Sequence, residues 1–148
     1  MKIIFVDLDK EICDLVKQYI PKLEVINYSL DNVEGDILST CSNPSFSMGG
    51  GLDKYIKNRF FKNKDNFSQD IIETGDKKIK YIFPNITVDC GIETSKELVM
   101  SAYLRYFYFC KKYNYENVLI TAFGTGIGGF NKFEMVEALK ESLKIINY

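Results

Sequence analysis

The chain has 148 residues, 46% of them hydrophobic, and a formal net charge of -1 from 19 Lys+Arg against 20 Asp+Glu. That length fits one domain, residues 1–148, with enough apolar material for a core that needs no covalent staples. The balanced charge gives no strong nucleic-acid signal, and the absence of histidine excludes any mechanism built on a His base.

The four cysteines, Cys13, Cys41, Cys90 and Cys110, form no CxxC pair, so no metal or cofactor is expected. Cys13 and Cys110 read as buried thiols, while Cys41 lies two residues before Asn43 and close to a candidate site. The opening apolar run breaks at Asp7, too early for a signal peptide, and no run approaches the roughly 18 residues of a membrane span. The expectation is a soluble, cytoplasmic protein with no membrane partner.

Residues 3–6 form a continuous apolar run, as a strand buried on both faces requires, and Asp7 is placed to cap the helix behind it. Ile12, Leu15, Val16, Tyr19 and Ile20 recur at helical spacing until Pro21 stops them. Residues 23–28 and 36–40 read as the second and third strands, and 52–61 as a helix with Leu52, Tyr55, Ile56 and Phe60 on one face. Residues 62–68 are polar and loop-like, Gly75 and Asp76 mark a tight turn, and 79–88 supply strand material interrupted by Pro84. A long helix over 96–113 carries an inward stripe that includes Val99, Tyr103, Tyr106, Phe107 and Cys110. Residues 118–123 form a strongly buried strand, and 133–146 close the chain as an amphipathic helix with Met135, Val136, Leu139, Leu143 and Ile146 inward.

Strands alternating with helices predict a three-layer α/β/α sandwich around a mostly parallel sheet. In such folds ligands bind at the carboxyl ends of strands. Two glycine-rich loops fall at positions of that kind. The first runs from Asn43 through Phe46 to Gly49, Gly50, Gly51, Leu52 and Asp53; the second is Gly124, Thr125, Gly126, Ile127, Gly128, Gly129 and Phe130. Glycine lets backbone N–H groups approach a ligand closely, and a helix starting just beyond adds a dipole that favours anions. Two such loops on one sheet can hold two ends of a diphosphate.

The pattern N-x-x-[apolar]-x-x-G-G-G-[apolar]-D, met by Asn43, the apolar plug Phe46, the three glycines, Leu52 and Asp53, resembles the first ligand loop of macro domains. The run G-T-G-I-G-G-F after a buried strand resembles their second, phosphate-binding loop. The likeness extends over most of the chain and is nearest to the small single-domain macro proteins of bacteriophages and bacteria. It implies recognition of ADP-ribose or a related nucleotide. Asn43 would bond hydroxyls of the distal ribose, Gly49, Gly50 and Gly51 would close over that ribose and the diphosphate, Gly124 to Gly129 would wrap the diphosphate, and Phe130 would lie against the distal ribose.

Asn43 also suits a simple turn, Asp53 a first-turn helix acid, and Phe130 the core. Macro domains carry Gly-Asp-[Ile/Val] where their Asp meets the adenine amino group. Here Ser29 stands at that place, followed by Leu30, whose backbone remains available. Asp31 is the weaker substitute, its side chain expected on the opposite face of an extended segment.

The resemblance further implies hydrolysis of a phosphate or ester on the distal ribose, with Asp53 positioning or deprotonating a water and Asn43 orienting the sugar. A non-catalytic nucleotide- or protein-binding module is the alternative. A third reading takes Asp7 and Asp9, whose D-x-D spacing resembles the opening of haloacid-dehalogenase-type phosphatases, as nucleophile and acid/base. Glu11 departs from that motif, and the reading leaves both glycine loops without a role.

Overall fold

The alternation of apolar residues along each strand decides what covers each face of the sheet. In β1 (Lys2–Val6), Ile3 and Phe5 join one core while Ile4 and Val6 join another, the two-residue period of extended backbone. In β6 (Asn117–Ile120), Val118 and Ile120 divide from Leu119 in the same way. Both faces of these strands are therefore buried, as in a sheet sandwiched between helices.

A computed structural model describes residues 1–43, 45–46, 48, 50–61, 70–88, 94–126 and 129–148. After β1 come α1 (Lys10–Tyr19), β2 (Glu24–Ile26), a 3-10 turn (Leu30–Asn32), β3 (Gly35–Ser39) and α2 (Gly51–Phe60). β4 (Ile72–Glu73), β5 (Ile79–Phe83), α3 (Lys96–Lys112), β6 and α4 (Lys132–Ile145) follow. The strands form one six-stranded sheet in the order β2-β1-β6-β3-β5-β4. Every pairing is parallel except β4 with β5.

The larger core lies under α1, α3 and α4 and contains the fully buried Tyr103, Tyr106, Phe107 and Phe123. The smaller core lies under α2, where Ile56 and Phe61 meet Leu38, Ile79, Ile82 and Leu119. Each fully buried side chain of this size contributes about 1.5–3 kcal/mol. Gly35 is required by close approach, because a Cβ there would meet the Leu119 side chain at 2.5 Å.

The sandwich and its mostly parallel sheet are as the sequence predicts, and the long helices begin and end within a residue of expectation. Three local readings are corrected and one strand is added. Asp9, not Asp7, caps α1: its side chain accepts from the Ile12 N–H at 3.2 Å. Asp7, just past the end of β1, still donates its N–H to the Ile26 carbonyl at 3.1 Å, so the helix cannot start there. The second strand is only Glu24–Ile26, because Asn27 turns back to donate to the carbonyls of Asp7 and Leu8. The last strand stops at Ile120, where the chain leaves the ladder to begin the second glycine loop. The tight turn at Gly75 (φ 72°) joins β5 to the short antiparallel β4, which the sequence does not announce. The polar segment 62–68 lies outside the described residues.

Candidate functional site

The order β1-β6-β3 brings together three strands from separate parts of the chain, and their carboxyl ends open into one cavity of about 710 Å³. That volume is typical of small-molecule sites. Its wall includes Asp7, Cys41, Asn43, Asp53, Thr121 and Gly126. Of the other residues singled out from sequence, Ser29, Leu30, Gly50, Gly51, Gly124 and Thr125 also line it. Phe130 does not: it is half-buried and packs against the larger core as the second loop leaves the site. Gly49, Ile127 and Gly128 lie outside the described residues.

The first loop is tied down by its own helix. Asp53, 6% exposed, reaches back from α2 to the end of β3. One carboxylate oxygen accepts from the Cys41 N–H at 3.0 Å and the other from the Ser42 hydroxyl at 2.6 Å. Burial nonetheless raises its pKa, the two hydrogen bonds opposing that rise. Ser42 also lies 2.8 Å from the Thr40 hydroxyl, which receives the Asn85 N–H at 2.8 Å, so the floor under Asn43 is a connected polar network.

The plug of this loop is Met48 rather than the expected Phe46. Met48 is buried in the smaller core while Phe46 is only half-buried. Both take left-handed backbone, φ 53° and 50°, which costs residues with a Cβ about 1–2 kcal/mol each. The Ser45 hydroxyl donates to Asn43 Oδ1 at 2.9 Å, fixing the amide in a local turn. At the start of α2, Gly50 offers no side-chain cap, so among the described residues no side chain caps the helix's first N–H groups, an end that suits an anion.

The second loop is rooted in the larger core. The Tyr103 hydroxyl donates to the Thr121 carbonyl at 2.9 Å and accepts from the Phe123 N–H at 3.2 Å, while its ring stacks on Phe123 at 4.1 Å. Gly124 has φ 78°, and a Cβ there would meet Thr94 at 3.0 Å. The loop closes through Gly129 N–H to Gly126 carbonyl and Phe130 N–H to Gly124 carbonyl, and Asn131 then caps α4. Among the described residues, the N–H groups of Thr125 and Gly126 meet no acceptor.

Beside the mouth, Asp31 belongs to a 3-10 turn rather than an extended segment, and it does not line the cavity. It receives hydrogen bonds from the Ser29 and Tyr55 hydroxyls, the Tyr55 bond first among the causes that hold its pKa low. The Ser29 hydroxyl is committed twice, donating to Asp31 and accepting the Asp31 N–H. Arg59 braces this corner, donating to the Leu30 carbonyl at 3.0 Å and pairing with Asp76 at 3.3 Å.

Burial pushes the Cys41 thiol well above its ordinary pKa, which suits a packing role and not a nucleophile. Asp9 is occupied by the cap of α1 and by Lys132 at 2.8 Å. Among the described residues no three His, Cys, Asp or Glu side chains are grouped to hold a metal ion. No described helix is long and apolar enough to cross a membrane. Sequence reasoning missed the polar floor, the Tyr103 root, and Tyr28 and Leu8 on the cavity's lip; the two lip residues are apolar-bodied side chains in turns, a signal that was available.

The architecture is the macrodomain fold. The macrodomain of Mycobacterium tuberculosis DarG superposes with a TM-score of 0.67 at 15% sequence identity, covering 80% of this chain and 88% of that one. An alphavirus structure titled P23pro-zbd superposes with a TM-score of 0.57 at 18% identity, covering 76% of this chain but 18% of the larger viral chain. No family model and no curated protein sequence matches this chain.

Proposed function

We propose that this protein binds ADP-ribose, or a derivative substituted on the distal ribose, in the cavity between the two glycine loops. The observation that carries this reading is the convergence of both loops on one 710 Å³ cavity at the switch point of a macrodomain-fold sheet. In this reading Asn43 meets the distal ribose, the start of α2 and the N–H groups of Thr125 and Gly126 hold the diphosphate, and the Leu30 backbone lies along the nucleoside. Gly49, Ile127 and Gly128, outside the described residues, keep the roles that the resemblance implies for them, and Phe130, packed against the core, is given no ligand contact.

Hydrolysis of a distal-ribose substituent is the finer form of the proposal, with Asn43 and Asp53 as its residues. Each Asp53 oxygen already accepts a strong hydrogen bond within the protein, so binding without turnover is the reading favoured. Calorimetric titration with ADP-ribose, ADP, AMP and poly(A) tests it. ADP-ribose is expected to bind most tightly, and a Kd weaker than about 1 mM for all four, roughly 4 kcal/mol, overturns the reading. Release of phosphate from ADP-ribose 1″-phosphate, lost in Asp53→Ala, would establish the hydrolytic form.

A further inference from the structure

Among the described residues three carboxylates line the cavity: Asp7, Asp9 and Asp53. Two of them are bonded within 3.2 Å on both oxygens. Asp53 is closed on Cys41 and Ser42, and Asp9 on the cap of α1 and Lys132. Asp7 differs. Its Oδ1 accepts from the Asp9 N–H at 2.9 Å and its Oδ2 from the Ala122 N–H at a long 3.4 Å, the Leu8 N–H adding a weaker backbone contact, and no cation is paired with it among the described residues. An ionised carboxylate offers about four acceptor positions, so Asp7 enters the cavity with acceptor capacity to spare.

The position of Asp7 makes this informative. It directly follows β1, at the point where β6 passes into the second glycine loop, so it sits beside the loop assigned to the diphosphate. A carboxylate repels a diphosphate and can receive nothing from it, since phosphate oxygens are acceptors. It can be satisfied only by an N–H or O–H donor. The lip above is apolar, with Leu8 75% and Tyr28 59% exposed, both lining the cavity, which suits the flat face of a nucleoside. The corner where a macro-type acid would stand holds Ser29 instead, and its hydroxyl is already committed to Asp31.

We infer that Asp7 Oδ2 is the carboxylate that reads the nucleoside, accepting a hydrogen bond from an amino or hydroxyl donor of the ligand. This rests on the proposed binding of an ADP-ribose-type nucleotide. It separates the cavity into a donor-lined part that takes the diphosphate and an acceptor that checks what the diphosphate carries. Asp7 contributes selectivity by rejecting ligands that bring no donor, because an unmet buried carboxylate penalises them.

The test is calorimetry on the full chain and on Asp7→Asn, a near-isosteric change, with ADP-ribose, its inosine analogue and inorganic pyrophosphate. In Asp7→Asn, ADP-ribose should bind about tenfold more weakly, while pyrophosphate binds as well as before or better because a repulsive charge is gone. If the inosine analogue is already weak in the wild type and unaffected by the substitution, the donor is the base amino group. If it weakens in step with ADP-ribose, the donor is a ribose hydroxyl. Unchanged ADP-ribose affinity in Asp7→Asn overturns the inference, as does an equal loss for ADP-ribose and pyrophosphate, which would mean that the cavity itself had been damaged. Failure of the wild type to bind ADP-ribose overturns the parent reading instead, so the two failures are distinguishable.

Discussion

The two glycine loops face each other across one cavity, yet they are built on opposite principles. The first is held by a charged side chain from the helix that follows it, Asp53 reaching back to Cys41 and Ser42, and it tolerates left-handed Phe46 and Met48. The second is held by an aromatic side chain from the core beneath it, Tyr103 bonding Thr121 and Phe123 and stacking on the latter. A wall fixed by a carboxylate is sensitive to protonation, and a wall fixed by a buried phenol is not. One cavity thus has a titratable side and an inert one.

The sharpest way to break this contrast is Asp53→Ala. It leaves the Ser42 hydroxyl and the Cys41 N–H without their acceptor, and denaturant unfolding should show a loss of about 3 kcal/mol. Amide exchange should accelerate at Cys41 and stay slow at Phe123; equal acceleration at both would mean that the loops are not independently held. Tyr103→Phe is the converse, removing only the hydroxyl. A loss of about 1–3 kcal/mol is expected because the buried Phe123 N–H is orphaned, with exchange now faster at Phe123.

Gly124→Ala should cost about 1–2 kcal/mol by thermal melting, from its positive φ and the 3.0 Å approach to Thr94. Gly126→Ala meets open space and should change stability by less than about 0.5 kcal/mol, whereas Gly126→Glu should leave the melt intact and abolish binding of a diphosphate.

The pH dependence has a definite sign. The pKa of Asp53 is raised in the folded state, so its protonation favours folding. Its contribution is fully present below the unfolded value near 3.8 and is lost as pH rises through the folded value above it. The stability of Asp53→Asn relative to wild type should therefore increase across that window. A difference independent of pH would remove the titratable side from the comparison.

What could be read from the sequence was what is written locally. Strand runs, helical stripes and the described parts of both glycine loops depend on neighbours a few residues apart, and they appear in the expected order, with the second and last strands shorter than expected. What could not be read depends on who meets whom. Asp7 and Asp9 are chemically alike and two residues apart, and only the Asp7 bond to Ile26, across the β1–β2 pair, decides which one caps α1. β4 has two residues, too few to show an alternation, and exists because β5 lies beside it. Asp53 suggested both a helix acid and a site acid, and its partners Cys41 and Ser42, twelve and eleven residues earlier, carried no signal of their own. Ser39, Thr40, Ser42 and Asn85 each look like loop residues, yet together they form a buried floor.

The ends of the sheet also bear on how this molecule behaves in a crowded solution. β2 is three residues long and β4 two, and β4 runs against the direction of the rest. Among the described residues, the long, flat hydrogen-bonding edge on which strands from other chains stack is therefore missing at both margins, and Glu24 and Glu73 place charge on them. The apolar strands β1, β6 and β3 stand in the middle of the row, where no neighbouring copy can reach their backbones. A sheet so truncated at its borders resists cross-β association without relying on the net charge of the chain, which at -1 offers little mutual repulsion.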